Sequence, residues 1–299
     1  MIIPVSSAVL GRGTLLLAAS GHLSGLNSRA EVNEGGDAVM RSNRISVPIL
    51  TYHQVSPRPH PLFRKYSVTP RAFAAQMTWL AWAGYRPMTL DAVLAARMGQ
   101  GVLPRRPVVI TFDDGFQDCW DYAVPVLRAR GFSALFFLVA GLVGRQSTWL
   151  LHEKGVQFPL MDWTAARGLL VAGLECGAHS VSHPRLAQLP TAECRRELDE
   201  SRQMLEDGLG HKVVHLAYPF GSYDERVREI AAEVGYRAAC SVRIGLSSPD
   251  DDTLALHRVP ISGEEGLASF ICRLRTGRAM PEVLRRKTSR VRRLAGWGQ

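Results

Sequence analysis

Val108-Val109-Ile110-Thr111-Phe112-Asp113-Asp114-Gly115 is an apolar, β-branched run that stops abruptly at two adjacent carboxylates. Short apolar runs of this kind, bounded by turn residues, read as buried strands of a parallel sheet. Gly115 frees the chain to turn sharply. Neighbouring side chains at a strand end point to opposite sides, so Asp113 and Asp114 are expected to take different tasks beside one small site. Desolvating two carboxylates is costly unless a cation, hydrogen bonds or a proton compensates. Asp and Gly are also ordinary turn residues, so this stretch alone leaves a turn and a site equally open.

A second stretch shifts that balance. Leu174-Glu175-Cys176-Gly177-Ala178-His179-Ser180-Val181-Ser182-His183-Pro184 again runs from apolar to polar chemistry. Two imidazoles four residues apart share a face if the segment turns helically, and Pro184 limits such a helix to about one turn. Two histidines with a strand-end carboxylate supply a His₂-Asp set that leaves room for water, the constellation of metal-assisted hydrolysis.

Thr111 to Gly115, together with His179-Ser180-Val181-Ser182-His183, resembles the polysaccharide deacetylase family, also called the NodB-homology domain or carbohydrate esterase family 4. Ala217-Tyr218-Pro219-Phe220-Gly221 resembles the family's Arg-x-Pro-Tyr element. The likeness spans about residues 45 to 262. It implies that Asp114, His179 and His183 bind a divalent metal, most simply zinc, and that Asp113 is the general base. It also implies substrate contacts at Tyr218 and Phe220, with main-chain N–H near Phe220 stabilising an oxyanion. Most of the family has Arg where Ala217 stands, and that Arg pairs with the base. Some other group is therefore expected to hold Asp113, and the sequence does not name it.

Two histidines compete for the acid that protonates the leaving amine. Val47 to His53 is a strand-like run ending in His53, and Tyr52-His53-Gln54-Val55 resembles the opening of a circularly permuted subgroup of the family. His257, in Leu254-Ala255-Leu256-His257-Arg258-Val259-Pro260, stands where the unpermuted family keeps its acid. By alternation His257 can face either side of its strand. His53 is the favoured choice.

Around these motifs, strand-like and helix-like segments alternate. Thr69-Pro70 starts a helix through Phe73, Met77, Leu80 and Trp82, whose Met and Trp stripe reads as core. A helix is expected over 118 to 130, bent by Pro125. Further strands are expected near 134 to 139, 174 to 179, 213 to 218 and 237 to 242, with helices from Asp162, Thr191 and Asp224. Such alternation predicts an α/β fold, a distorted (β/α) barrel of about seven strands resembling a TIM barrel. In such barrels the chemistry gathers at the C-terminal strand ends, where His53, Asp113, Asp114, His179 and Tyr218 all fall.

The chain has 299 residues, 46% of them hydrophobic, enough for one sizeable core. The expected organisation is an N-terminal extension over 1–44, a catalytic domain over 45–270 and a basic tail over 271–299. That tail carries nine Arg or Lys (273, 275, 278, 285, 286, 287, 290, 292, 293) against Glu282, nearly all of the formal charge of +9. It reads either as a solubilising segment or as an attachment to anionic lipid headgroups, with Leu294 and Trp297 available for shallow insertion. Nucleic acid is disfavoured, because no recognisable binding module accompanies the charge. Five cysteines without paired spacing fit a reducing compartment, so a cytoplasmic location is expected. The short apolar cluster Leu15 to Ala19 keeps export open. The function expected is metal-dependent removal of N-acetyl groups from an N-acetylhexosamine polysaccharide or oligosaccharide. An O-acetyl polysaccharide esterase and a non-catalytic glycan-binding relative are the alternatives.

Overall fold

The computed structural model describes residues 45–280. The expected N-terminal extension and the tail residues from 281 onward, Leu294 and Trp297 among them, lie outside the described residues.

Seven parallel strands close a barrel. They are β1 (Ile49–Tyr52), β2 (Pro107–Phe112), β3 (Leu135–Leu138), β4 (Glu175–Ala178), β5 (His215–Ala217), β6 (Ala238–Ile244) and β7 (Leu256–Pro260). Each strand pairs with the next in sequence, and β7 returns to β1 with Leu50 opposite Val259. This is the distorted (β/α) barrel read from the alternation. Around it run α1 (Pro70–Trp82), α2 (Leu90–Arg97), α3 (Val124–Arg128), α4 (Thr148–Lys154), α5 (Trp163–Val171), α6 (Thr191–Leu209), α7 (Glu225–Val234) and α8 (Leu267–Thr276).

Local chemistry sets the helix starts. Thr69 Oγ1 accepts the Ala72 N–H at 3.3 Å ahead of Pro70, and Asp162 and Asp224 cap α5 and α7, each at 2.8 Å. Three expectations need correction. The helix expected over 118 to 130 is a wide π turn at Cys119–Ala123 followed by the short α3, because Pro125 has no N–H for the regular ladder. Trp82 is 83% exposed, while Phe73, Met77 and Leu80 carry the buried face of α1. The domain limit expected at residue 270 falls inside α8, whose Phe270 and Leu274 are buried. Two of the presumed tail cations are therefore packed on the barrel: Arg273 pairs with Glu265, and Arg275 lies 5.8 Å from the Trp79 ring centre.

The interior follows the strand period of two. Ile49, Val109, Leu135, Phe137, Ala217, Ala238, Cys240 and Leu256 form one buried cluster with Leu90, Val93 and Leu94 of α2, which plugs the end where the strands begin. Alternate positions, such as Leu50, Ile110, Phe136, Leu138 and Leu216, belong to the larger cluster beneath the other helices. The opposite end of the barrel is left for polar side chains. Among the described residues no helix is long and apolar enough to cross a membrane.

Candidate active site

The inward alternation continues past the strand ends. Thr51 leads to His53, Thr111 to Asp113, Gly177 to His179 and Leu256 to Arg258, and these four polar side chains border one cavity of about 520 Å³. Strict alternation would send Asp114 the other way. It lines the same cavity because Asp114 and Gly115 have φ of 76° and 73°, which swings the second carboxylate back beside the first. A Cβ at Gly115 would lie 2.9 Å from Leu138 Cδ2 and displace that side chain, but it is the φ that calls for glycine here.

His179 and His183 converge, but not on a helical turn. Ser180 and His183 have φ of 62° and 64°, and Pro184 disfavours the helical region for the residue before it. Such backbone costs about 1–3 kcal/mol per residue and persists only where its surroundings fix it. Here Glu197 of α6 accepts from Val181 N at 2.8 Å, Ser182 N at 3.0 Å and Ser182 Oγ at 2.6 Å. Ser180 Oγ accepts the His183 N–H at 3.0 Å.

The donor set these turns create is buried. Asp114 Oδ1 lies 3.4 Å from His179 Nε2 and 3.2 Å from His183 Nε2. One ligand atom from each residue lies within 4.8 Å of the others. His179 Nδ1 stands 2.7 Å from the Ala217 carbonyl, which can only accept, so Nδ1 carries the proton and the Nε2 lone pair faces Asp114. The His183 ring stacks on Trp149 at 4.4 Å and meets the Phe220 ring edge-on at 4.5 Å. Its Nδ1 is a buried nitrogen without a hydrogen-bond partner among the described residues. Lone pairs and a carboxylate crowded together in apolar surroundings repel unless a proton or cation lies between them. With protons alone, burial opposes the Asp114 charge, yet hydrogen bonds from both histidines hold its carboxyl well below the usual range. Burial pulls His183 down, whereas for His179 burial is outweighed only by Asp114, Asp113 and the Ala217 carbonyl acting together, which raise it. Two nitrogens and one oxygen, convergent and desolvated, fit a divalent cation.

Asp113 is held differently. Arg258 Nη1 and Nη2 donate to its two oxygens at 2.7 Å each, and Arg258 Nε donates to the Ser241 carbonyl at 2.9 Å. Both side chains are buried. Burial alone would push the Asp113 carboxyl up, but the guanidinium keeps it below its ordinary value. His53 lies on the same cavity with its ring 5.0 Å from Tyr66. Burial lowers its pKa, against the opposing pull of Asp114 and Asp113. The Cys119 thiol donates to the His53 carbonyl at 2.9 Å and fixes the turn that follows β1.

A polysaccharide deacetylase family model matches residues 100–239, the stretch holding the Asp-Asp turn, the histidine loop and β5. Over that stretch the chain is similar to the polysaccharide deacetylase family. It is 27% identical to YxkH of Bacillus subtilis (strain 168) over 216 residues, 72% of this chain and 71% of YxkH. It is 22% identical over 210 residues to the poly-beta-1,6-N-acetyl-D-glucosamine N-deacetylase of Staphylococcus aureus (strain N315), covering 67% of this chain and 70% of that one. Among solved structures, IcaB from Ammonifex degensii superposes with a TM-score of 0.63 at 27% identity, over 72% of this chain and 91% of its own. The Streptococcus pyogenes deacetylase PplD shares the fold, with a TM-score of 0.67 at 22% identity over 77% of this chain and 99% of PplD.

Against the family pattern, two placements stand out. The arginine missing at Ala217 is replaced in space by Arg258, which reaches Asp113 from β7. His257, the competing acid candidate, is not brought to the cavity: with Arg258 inward, alternation turns His257 outward, where its Nδ1 sits 2.9 Å from Asp251 Oδ2 and outside the cavity lining. Tyr218 and Phe220 both line the cavity. The Tyr218 hydroxyl is spent on the Leu254 carbonyl at 2.9 Å, and the Arg185 guanidinium covers the Phe220 ring at 4.1 Å. Sequence reasoning missed Arg258, Glu197, Trp149 and Tyr66. Of these only Arg258 left a signal, a charge inside an apolar strand.

Proposed function

We propose that this protein removes N-acetyl groups from an N-acetylhexosamine-containing polysaccharide or oligosaccharide with the aid of a divalent metal. The observation that carries this reading is the juxtaposition of the Asp114–His179–His183 set with Asp113, locked to Arg258, and His53 on one cavity. Asp114, His179 and His183 would hold the metal, zinc by its fit to two imidazoles and a carboxylate. Such an ion lowers the pKa of water and polarises an acetamide carbonyl. Asp113, kept ionised by Arg258, takes the proton of the attacking water as general base. Main-chain N–H near Phe220, which has a φ of 55°, would stabilise the developing oxyanion. His53 protonates the departing sugar amine, giving acetate and a glycan with a free amine.

The test is acetate release from β-1,6-linked N-acetylglucosamine oligomers by the full chain, stripped of metal and then titrated with zinc. Release should vanish on stripping and return at one zinc per chain. Release that ignores the chelator would overturn the metal assignment, and hydrolysis of O-acetyl esters alone would make the protein an esterase.

The acid is tested by two substitutions. His53→Ala should lower kcat about 10²-fold with zinc retained, and His257→Ala should change it little. The reverse pattern would return the acid to the late position.

A further inference from the structure

Five cations and three carboxylates border the cavity: Lys65, Lys154, Arg185, Arg258 and Arg273 against Asp113, Asp114 and Glu153. Three of the cations are matched. Arg258 is bidentate on Asp113, Arg185 reaches both oxygens of Glu153 at 3.1 Å, and Arg273 donates to both oxygens of Glu265 at 2.6 Å. Among the described residues no carboxylate forms an ion pair with Lys65 or Lys154. Glu265 feels the Lys65 charge, but its oxygens are committed to Arg273 and Ser269.

The two lysines arrive from separate elements, Lys65 from the 3₁₀ turn Pro61–Tyr66 and Lys154 from the last turn of α4. Both nevertheless converge on one ring. Their Nζ atoms lie 5.8 Å and 5.4 Å from the Tyr66 centroid, and Tyr66 in turn packs edge-on against His53. Two ammonium groups without carboxylate partners on one stretch of the cavity wall raise the local positive potential, which favours an anion there. Val242, Ile244 and Phe220 contribute apolar side chains to the same lining. Tyr66 ties the two lysines to His53, beside which the leaving amine must sit if the reading above holds. A substituent on the ring positions next to that amine would meet the lysines.

We propose that the substrate bears an anionic group, a phosphate or a carboxylate, beside the acetylated amine, and that Lys65 and Lys154 receive it. This rests on the deacetylase reading and narrows it to acidic glycans. The gain should be moderate, because the lysines are at the rim and screened by solvent: about tenfold at low salt, shrinking as ionic strength rises.

Three probes separate the possibilities: N,N′-diacetylchitobiose, its 1-phosphate, and N-acetylglucosaminyl-N-acetylmuramic acid. With the zinc-loaded full chain, at least one charged disaccharide should exceed the neutral one about tenfold in kcat/KM, and the arm that does so distinguishes phosphate from carboxylate. In a Lys65→Gln/Lys154→Gln chain that ratio should fall to near one, through a rise in KM for the charged sugar and not through kcat. The same three sugars are also titrated calorimetrically into the zinc-loaded Asp113→Asn chain, with and without the two lysine changes. Tighter binding of a charged disaccharide that disappears with the lysines supports the subsite even if turnover fails and the deacetylase reading falls. Equal binding of charged and neutral sugars, or a preference that survives removal of both lysines, overturns it and leaves the deacetylase reading standing.

Discussion

Asp113→Asn is expected to leave zinc bound and to cut acetate release by about 10²- to 10⁴-fold, the range general-base catalysis commonly contributes. Asparagine keeps the shape and one oxygen but cannot take a proton at working pH. The proposed metal set does not use Asp113, since Asp114 alone supplies the carboxylate facing His179 and His183. The two proposed functions, binding metal and accepting a proton, are thus expected to be separable by substitution although the residues are adjacent. One complication has to be controlled. Asparagine leaves Arg258, which is buried, without its counter-charge. Activity should therefore be read beside zinc content and a thermal midpoint, so that loss of fold is not taken for loss of base. A chain that keeps zinc, keeps its fold and turns over within a few-fold of the parent would show that Asp113 is only a turn residue.

The barrel was legible because its strands are continuous apolar runs ending in polar residues, a pattern that a parallel sheet covered on both faces imposes. Helix starts were legible where a cap residue announced them, as at Thr69-Pro70 and Asp162. The helix across Pro125 was misread because proline specifies a break in the ladder without specifying how the chain repairs it. At the site, the histidine loop and the Asp-Asp turn were visible as residue types, but their convergence depends on four left-handed non-glycine residues, Asp114, Ser180, His183 and Phe220. No local propensity announces those, since the surrounding fold forces them. Glu197 could not be found at all. It sits on a helix among other acids, and only the tertiary fold brings it to the loop amides of Val181 and Ser182. Arg258 was different in kind. A guanidinium buried among Leu256, Val259 and Thr111 demands a carboxylate, and Asp113 is the one at hand.

That pairing yields the second large effect. Arg258→Met is of similar volume and apolar, so it removes the charge without opening a large void. It leaves Asp113 buried with no guanidinium, and breaking a buried pair from one side costs about 3–5 kcal/mol. For a domain of this size that corresponds to a fall in Tm of about 10 °C. The loss should depend on pH in a definite direction. In the parent, Arg258 holds the Asp113 carboxyl below its ordinary value, so the pair contributes stability above the unfolded carboxylate pKa and loses it as pH falls through the lower folded one. In the variant, burial is opposed only by the weaker pull of His179 and His53, so the carboxyl rises and its ionisation opposes folding as pH climbs above the unfolded value. The gap in Tm between parent and variant should therefore be widest near neutral pH and narrow on acidification. Catalysis should report the same shift: the acid limb of kcat/KM, set by the ionised base, moves to higher pH in Arg258→Met, and activity lost at pH 6 is partly regained at pH 8. An Arg258 that merely filled space would give a Tm gap independent of pH and leave the acid limb where it was. Either result would assign the missing family arginine to some other group.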